Sequence, residues 1–459
     1  MLATVSDPAC FYDEAIGRDG SPRAPYCELL EALADKDLGR LAARVSADVA
    51  DRGVAFGRRP FRVDPVPRIF EPEEWGRLER GLTQRARALN AFLADVYCER
   101  AIVDAGVVPA RVIDSAEHFE PWMLGVSLPH SHAPVVGFDV VRGADGELCV
   151  LEDNARTPSG FAYAAAARAA VDARLPGAPP YRRRAIDPLF GELAEVIRSA
   201  GPSGVDEPFA VLLSDGASNS AWYEHRTLAR AIGLPLVTPG DLYVSRGRLW
   251  AMVTGPDARA VDVVYRRTDE DCLRDRRMRP TWIGQVLLEP IRRGTLGIVN
   301  APGAGVADDK LVHAYVGEMI RFYLGEEPLV PSVPTYDLAE EETRRDVIAR
   351  IEELVVKPRA GHGGHGVVIC PHASSADVLA AAALVSEQHG EVVAQETVSL
   401  SIHPTVCDGM LEPRHVDLRA FVVGDRLLPL ALTRVAFDAG ALVVNSSQNG
   451  GGKATWVMA

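Results

Sequence analysis

The chain has 459 residues, of which 47% are hydrophobic and 24% charged, and its formal net charge is −14. This length predicts two or three domains, and the composition is that of a globular protein and not of a disordered one. The acidic excess argues against sequence-independent nucleic-acid binding, which needs a basic surface. Seven scattered cysteines without a CxxC pair are typical of reduced thiols, and we expect no secretory signal and no membrane span, so a cytoplasmic protein is predicted.

The first strong helical pattern covers residues 75–103, where apolar side chains recur at helical spacing. The preceding stretch, "PFRVDPVPRIFEPEEW", is interrupted by prolines and is predicted to be extended. Further along, two apolar runs between residues 134 and 160 predict a β-hairpin around the turn "GADG". If Gly143 pairs with Gly146 across this turn, Phe138 faces Leu151 and Val140 faces Cys149 on one apolar side. These four apolar residues predict which side of the hairpin packs against a hydrophobic core.

The other side of this hairpin carries Asp139, Glu152 and Asn154. In the predicted register Asp139 and Glu152 are diagonal neighbours, and Asn154 continues the same row. Two carboxylates and an amide oxygen on a rigid ribbon suit Mg²⁺ shared with phosphates. A solvated polar face is the alternative. Against it, no basic residue interleaves these positions, and "NARTPSG" follows with the character of a ligand loop.

After the hairpin the pattern alternates between strand and helix. Strand-like runs at "PFAVLLSDG", "LPLVTP" and "AVDVVYRRTDED" alternate with the helical run "SAWYEHRTLARAIG", which predicts a small parallel α/β unit. The turn after the first of these strands reads "LLSDGASNSAW" and not GxGxxG, which argues against a dinucleotide cofactor.

The stretch "LVVKPRAGHGGHGVVIC" places Lys357 at the end of a strand beside a glycine-rich loop. Glycines let backbone N–H groups approach an anion, and the lysine adds a positive charge, a combination suited to a triphosphate. The spacing is not that of a Walker A loop. A β-hairpin with a mobile glycine turn explains the glycines equally well.

Arg419 and Arg434 lie in the middle of two strand-like runs near the end of the chain. A guanidinium group on a strand clamps phosphate or carboxylate when it faces a cleft, although the solvent face of a strand is its commoner position. No nucleophile elbow and no catalytic-cysteine signature accompanies them.

With these residues identified, the chain resembles the circularly permuted ATP-grasp family. The resemblance covers most of the chain and is carried by "GFDVVRGADGELCVLEDNARTPSG", "LVVKPRAGHGGHGVVI", "PRHVDLRAFVV" and "LTRVAF". In an ordinary ATP-grasp enzyme the lysines and the glycine loop precede the metal-binding carboxylates. Here the carboxylates come first, which is the permuted order.

The resemblance implies an α/β (α+β) protein: an ATP-grasp fold in circularly permuted order with an additional small parallel α/β domain. Four segments follow from it. Residues 1–133 would be a helical and extended segment packing on the large lobe, 134–204 the metal-binding part, 205–304 the small α/β domain, and 305–459 the nucleotide-binding lobe with the remaining core strands.

The resemblance also implies roles for individual residues. The metal ligands would be Asp139, Glu152 and Asn154. The ATP-binding residues would be Lys310, Lys357, Gly361, Gly363, Gly364, Gly366, Gln395 and Glu396. The catalytic residues would be Arg434, Arg419 and Lys310. His362 and His365 depart from the threonine or serine variant of the glycine loop that many relatives have.

The implied activity is an ATP- and Mg²⁺-dependent ligation of a carboxylate to an amine, forming an amide or peptide bond through an acyl-phosphate. The substrates would be small molecules or peptides, with no nucleic-acid or membrane partner. Two alternatives stay open: a small-molecule kinase on the same scaffold, and a non-catalytic nucleotide-binding regulatory subunit. A ligase would release phosphate only when both acid and amine are present, which separates it from both.

Overall fold

The structure is a computed structural model that describes residues 11–175, 182–254, 257–361, 364–442 and 450–459. Within these ranges the helices are α1 (Cys27–Ala34), α2 (Leu38–Asp51), α3 (Pro72–Val96), α4 (Ala101–Asp104), α5 (Ala110–Asp114), α6 (Phe161–Arg174), α7 (Asp187–Ser199), α8 (Trp222–Ala231), α9 (Trp282–Arg292), α10 (Lys310–His313), α11 (Val316–Leu324), α12 (Glu341–Ala349) and α13 (Ser375–Glu387). The strands are β1 (Ala55–Phe56), β2 (Arg59–Pro60), β3 (Val63–Phe70), β4 (Val135–Arg142), β5 (Leu148–Asn154), β6 (Ala210–Leu213), β7 (Leu236–Val237), β8 (Leu242–Ser245), β9 (Arg248–Thr254), β10 (Asp257–Val261), β11 (Val263–Arg266), β12 (Gly297–Val299), β13 (Thr335–Tyr336), β14 (Leu354–Pro358), β15 (Val368–Ile369), β16 (Val392–Glu396), β17 (Ile402–Cys407), β18 (Met410–Val423), β19 (Arg426–Ala436) and β20 (Gly450–Val457).

The main sheet has seven strands in the order β3-β20-β19-β18-β4-β5, and β17 also pairs with β18. The stretch with Pro65 and Pro67 is extended, as predicted, and forms β3 at the edge of this sheet. Proline cannot donate to a ladder, so an edge is where such a strand belongs. The hairpin β4–β5 lies at the other end of the order, where its outer strand is free to meet another part of the molecule.

Helix α3 packs against the main sheet in one hydrophobic core, and helix α6 packs against it in a second core. The predicted helix over 75–103 is observed as α3 followed by the short α4. It is interrupted because Arg100 takes a left-handed backbone conformation with φ 60°. The apolar spacing of the sequence therefore identified the buried stripe of α3 but not its end.

The predicted parallel α/β unit is confirmed. Strands β12-β11-β6-β7 form a four-stranded sheet in which every pairing is parallel. Helix α8 connects β6 to β7 and is followed by Gly233, whose φ of +69° suits the left-handed turn after a helix. An antiparallel sheet, β10-β9-β8, is inserted in the same segment.

A smaller sheet with the order β13-β16-β14-β15 carries Lys357 on β14 and Gln395 on β16. Its own apolar core joins it to α12 and α13. Together these sheets and helices give the mixed α/β fold that was predicted. The boundaries of the four predicted segments stay a prediction. No helix in the described parts of the chain is both long and apolar enough to cross a lipid bilayer.

The predicted register of the β4–β5 hairpin is wrong. Gly143 does not pair with Gly146, because its N–H donates to the carbonyl of Glu147 at 3.0 Å. Gly146 instead donates to the Gly143 carbonyl and takes φ +86°, as in a three-residue hairpin loop with a glycine in the left-handed region. The loop is therefore one residue longer than predicted.

A second irregularity lies opposite the Asp139–Val140 step, where Leu151 has no partner on β4. It brings Asp139 directly opposite Glu152, where the prediction had them diagonal. Leu151 and Cys149 consequently pack in a small cluster away from the main core, so their predicted place on the core side is wrong. The bulge is what aligns the two carboxylates.

Candidate active site

A cavity of about 780 Å³ is lined by residues of the main sheet, the small sheet and the loops of the parallel sheet. The predicted site residues that line it are Asp139, Glu152, Asn154, Lys310, Lys357, Gly361, Gly364, Gln395, Glu396, Arg419 and Arg434. Gly366 is not among its lining residues, and Gly363 and His362 lie outside the described residues. The fold thus gathers residues separated by more than two hundred positions around one space.

Asp139 is buried and forms ion pairs with two arginines of the neighbouring strands. Arg419 donates to both of its oxygens, at 2.6 and 2.8 Å, and Arg434 donates to Oδ2 at 2.8 Å. Burial opposes ionisation of Asp139, but the two guanidinium charges outweigh it and hold its pKa well below the usual range. Both arginines face the cavity, so they do not occupy the solvent face of their strands.

Asp417 completes this cluster, and sequence reasoning missed it. Arg434 donates to Asp417 through Nε at 2.8 Å and through Nη2. Burial raises the pKa of Asp417, with Arg434 acting in the opposite direction. Its signal was present in "HVDLRAF", since Asp417 and Arg419 are two residues apart and share one face of a strand.

Glu152 lies within the electrostatic influence of two lysines, Lys357 and Lys310. Lys357 Nζ lies 3.9 Å from Glu152 Oε1 and donates to Gln395 Oε1 at 2.6 Å. Burial lowers the pKa of the Lys357 ammonium, although the charge of Glu152 opposes this. Burial likewise disfavours the Glu152 carboxylate, but the charges of Lys310 and Lys357 leave its pKa below the ordinary value.

A family model described as "Circularly permuted ATP-grasp type 2" matches residues 67–436. The chain belongs to this family. In agreement with the permuted order, the hairpin with the two carboxylates precedes Lys310 and Lys357 in the chain.

Several proteins are similar over nearly the whole chain. An uncharacterized protein of Mycobacterium tuberculosis strain H37Rv is 39% identical over 98% of this chain and 84% of its own length. An uncharacterized protein of Synechocystis is 39% identical over 98% of both chains. A Frankia alni protein named "Putative glutamate--cysteine ligase 2-3" is 41% identical over 97% of this chain, which spans 54% of that protein.

Among solved structures, a "glutathione synthetase like-effector" from Globodera pallida in its apoform aligns with a TM-score of 0.54. The alignment covers 92% of this chain and 98% of that chain at 12% identity. At this identity the likeness concerns the fold, and it agrees with the ATP-grasp architecture.

In this ATP-grasp protein described residues of the glycine loop and of the strand β16 line the cavity. Lys310 Nζ donates to the carbonyl of Gly361 at 3.1 Å. The side chain of Glu396 is held by the Tyr336 hydroxyl at 2.5 Å and by Arg350 at 2.9 Å. Gln395 contacts Lys357, whereas the side chain of Glu396 contacts Tyr336 and Arg350.

The loop after β5 is fixed by buried charged side chains that the sequence did not reveal. Arg267 donates to the carbonyl of Pro158 at 2.7 Å, and Glu224 accepts from the N–H of Gly160 at 2.9 Å. Asp153 is buried, and Arg85 donates to both of its oxygens. These partners are distant in sequence and carry no local signal.

Proposed function

We propose that the protein is an ATP- and Mg²⁺-dependent ligase that joins a carboxylate to an amine through an acyl-phosphate intermediate and releases ADP. The observation that carries the proposal is the approach of Lys357 to within 3.9 Å of Glu152. A carboxylate row on one sheet, Lys357 on another and Lys310 at the start of α10 all line one cavity, which is the arrangement that a metal-bound triphosphate requires.

The donor set of the hairpin fits Mg²⁺. Glu152 has no arginine partner among the described residues, and Asn154 also lines the cavity, where its amide oxygen can serve as a metal ligand. Asp139 accepts three hydrogen bonds, one on Oδ1 and two on Oδ2, and a carboxylate has about four acceptor positions. One position on Oδ1 is left for a metal. No three His, Cys, Asp or Glu side chains of the described residues cluster as a metal site, and the proposed set consists of two carboxylates and the amide oxygen of Asn154.

Several polar side chains of the cavity have a role in the proposed reaction. Lys310 and Lys357 hold the phosphates, and Gln395 orients the Lys357 ammonium through its 2.6 Å hydrogen bond. Arg419 and Arg434 bind the phosphoryl group and the carboxylate that receives it, and Asp139 and Asp417 fix their orientation. When bound, Mg²⁺ would neutralise charge on the phosphate oxygens. No covalent enzyme intermediate is required, which suits a chain without a nucleophile motif.

The relatives support a ligase more than a kinase. The Frankia alni protein carries the name of a glutamate–cysteine ligase, a reaction that joins a carboxylate to an amine. Because this chain spans only 54% of that protein, the name supports the class of reaction, and the substrates are a matter for experiment. Amino acids and short peptides are the first compounds to test.

The experiment is a screen of acids and amines, singly and in pairs, with ATP and Mg²⁺, in which ADP, phosphate and product mass are measured. A ligase releases phosphate only with a matching pair, and its product has the summed mass of acid and amine less one water. A phosphorylated product without phosphate release would show a kinase. Tight ATP binding without turnover for any pair would favour a regulatory nucleotide-binding protein.

Replacing Lys357 with alanine should weaken ATP binding about 10- to 100-fold, because a charge-assisted hydrogen bond to phosphate is lost. Calorimetric titration of ATP measures the effect. The matched control is Lys36→Ala, which removes an exposed lysine far along the chain and should leave the dissociation constant unchanged. A Lys357→Ala protein that binds ATP as tightly as the parent would remove this lysine from the site.

The same titration with NAD should show no tight binding, because the first turn of the parallel sheet lacks a dinucleotide fingerprint. Tight NAD binding combined with no ATP binding would contradict the assignment of the cavity to ATP.

A further inference from the structure

Residues 308–313, here called the bridging segment, contact the metal-binding strand on both sides of Asn154. The Asp308 carboxylate accepts the backbone N–H groups of Ala155 at 2.5 Å and Arg156 at 3.1 Å. At the other end of the segment, His313 Nδ1 lies 2.7 Å from the carboxylate of Asp153. The residues before and after Asn154 are therefore both held by six consecutive residues.

The middle of the bridging segment holds the strand and loop that carry the phosphate-binding lysine. Asp309 accepts from Arg359 Nε at 2.8 Å with both oxygens. The backbone N–H of Lys310 donates to the Arg359 carbonyl at 3.3 Å, and its ammonium donates to the Gly361 carbonyl at 3.1 Å. Arg359 follows Lys357 by two residues, so this contact fixes the end of β14.

These contacts matter because the main sheet and the small sheet share no strand ladder in the described residues. An isolated bridge pairs Val150 of β5 with Ser332, three residues before β13. The buried ion pair of Asp309 and Arg359 adds a charged link between the bridging segment and the end of β14. Buried, hydrogen-bonded groups of this kind hold a site more rigidly than loops do.

We infer that the bridging segment positions the metal-binding hairpin against the nucleotide-binding strand, with Asp308 aligning Asn154 and Asp309 aligning Lys357. This inference rests on the proposed function, since it assumes that both parts bind one nucleotide–metal complex. Neither aspartate is given a chemical step. Both are positioning residues that act through Asn154 and Lys357.

The two aspartates should produce different binding defects. The Mg²⁺ gain is the increase in affinity for a non-hydrolysable ATP analogue when Mg²⁺ is added. Asp308→Ala should reduce the Mg²⁺ gain by about fivefold or more, which is the size of a lost hydrogen bond. Its affinity without Mg²⁺, measured in EDTA, should stay within about twofold of the parent. Asp309→Asn should weaken binding about fivefold or more in both conditions, because it acts on Lys357. A general loss of stability would not weaken binding only with Mg²⁺ in one variant and in both conditions in the other.

Asp308→Asn is the conservative variant that separates positioning from charge. The amide oxygen still accepts both backbone N–H groups, so this variant should keep most of the Mg²⁺ gain. Hydrogen exchange at the amides of Ala155 and Arg156 gives a readout that does not depend on any ligand. It should accelerate in Asp308→Ala and remain slow in Asp308→Asn.

The matched control is Asp13→Ala. Asp13 also accepts two consecutive backbone N–H groups, those of Ala15 at 2.8 Å and Ile16 at 2.9 Å, but it does not line the cavity. Its removal should leave the Mg²⁺ gain unchanged.

Asp308→Ala with the parental Mg²⁺ gain, or Asp308→Asn as defective as Asp308→Ala, would overturn the inference while the parent continued to bind the nucleotide. Parental protein that does not bind the analogue with Mg²⁺ would instead overturn the proposed function and the inference with it. The two failures are therefore distinguishable.

Discussion

Glu152→Gln should lower the turnover of the enzyme by about 100-fold or more, because one metal-binding charge is removed while the shape of the side chain is kept. A bound metal supplies several kcal/mol of transition-state stabilisation, and each ~1.4 kcal/mol is about tenfold in rate. Thermal stability should fall slightly at neutral pH, because the charges of Lys310 and Lys357 outweigh burial and the repulsion from the facing Asp139 and leave the pKa of Glu152 below its ordinary value. ADP formation under saturating substrates measures the rate, and a thermal melt measures stability.

The control for this variant lies on the same hairpin. Glu147 is exposed in the turn between β4 and β5, and Glu147→Gln makes the same chemical change away from the cavity. It should have parental turnover. A Glu152→Gln enzyme as active as the Glu147→Gln enzyme would leave the hairpin without a role in metal binding.

The second large effect concerns stability. Glu14→Gln should destabilise the protein by about 3–5 kcal/mol, because it leaves buried arginine charge without its partner. Glu14 accepts from Arg68 at 2.5 and 2.6 Å, from Arg142 at 3.1 Å and from Ser401 at 2.6 Å, and all four side chains are buried. It thus ties the start of the described chain to the main sheet. Chemical unfolding measures the loss.

This effect should depend on pH. The charges of Arg68 and Arg142 outweigh burial and hold the pKa of Glu14 below its ordinary value of 4.5. A carboxylate with a lowered pKa in the folded state contributes its stability above the unfolded pKa, and the contribution falls as the pH falls below that value. The difference between parent and Glu14→Gln should therefore be constant near neutral pH and narrow below about pH 4.5.

The exposed Glu28, on α1, provides the control for stability. Glu28→Gln should change the free energy of unfolding by no more than about 0.5 kcal/mol. Equal stability of the Glu14→Gln and Glu28→Gln proteins would show that the buried cluster contributes nothing net.

The parts of the fold that were predictable are those with local signals. The alternation of strand and helix around β6, α8 and β7 identified the parallel sheet, and the alternation along β4 and β5 identified the side that carries Asp139 and Glu152. The register was not predictable in the same way. The register depends on the left-handed conformation of Gly146 and on Leu151, which has no partner on β4. The residue type at neither position distinguishes this hairpin from a regular one.

The partners of the site residues were also beyond the sequence. Asp308 and Ala155 are 153 positions apart, and Arg85 and Asp153 are 68 apart. Such pairs form because the fold excludes water from both groups, so that each buried charge or N–H needs a partner. Composition and spacing cannot name that partner. Lys310 follows two aspartates in the run "DDK", and nothing in that run indicates that Asp308 and Asp309 contact different parts of the site.

The central claim is that the hairpin and the lysines bind one nucleotide–metal complex. The most direct test is a crystal structure with a non-hydrolysable ATP analogue and Mn²⁺, in which anomalous scattering locates the metal independently of the model. We expect the metal at Asp139, Glu152 and Asn154, with the triphosphate between it and Lys357 and Lys310. A nucleotide bound elsewhere, or a metal that makes no contact with the hairpin, would contradict the account.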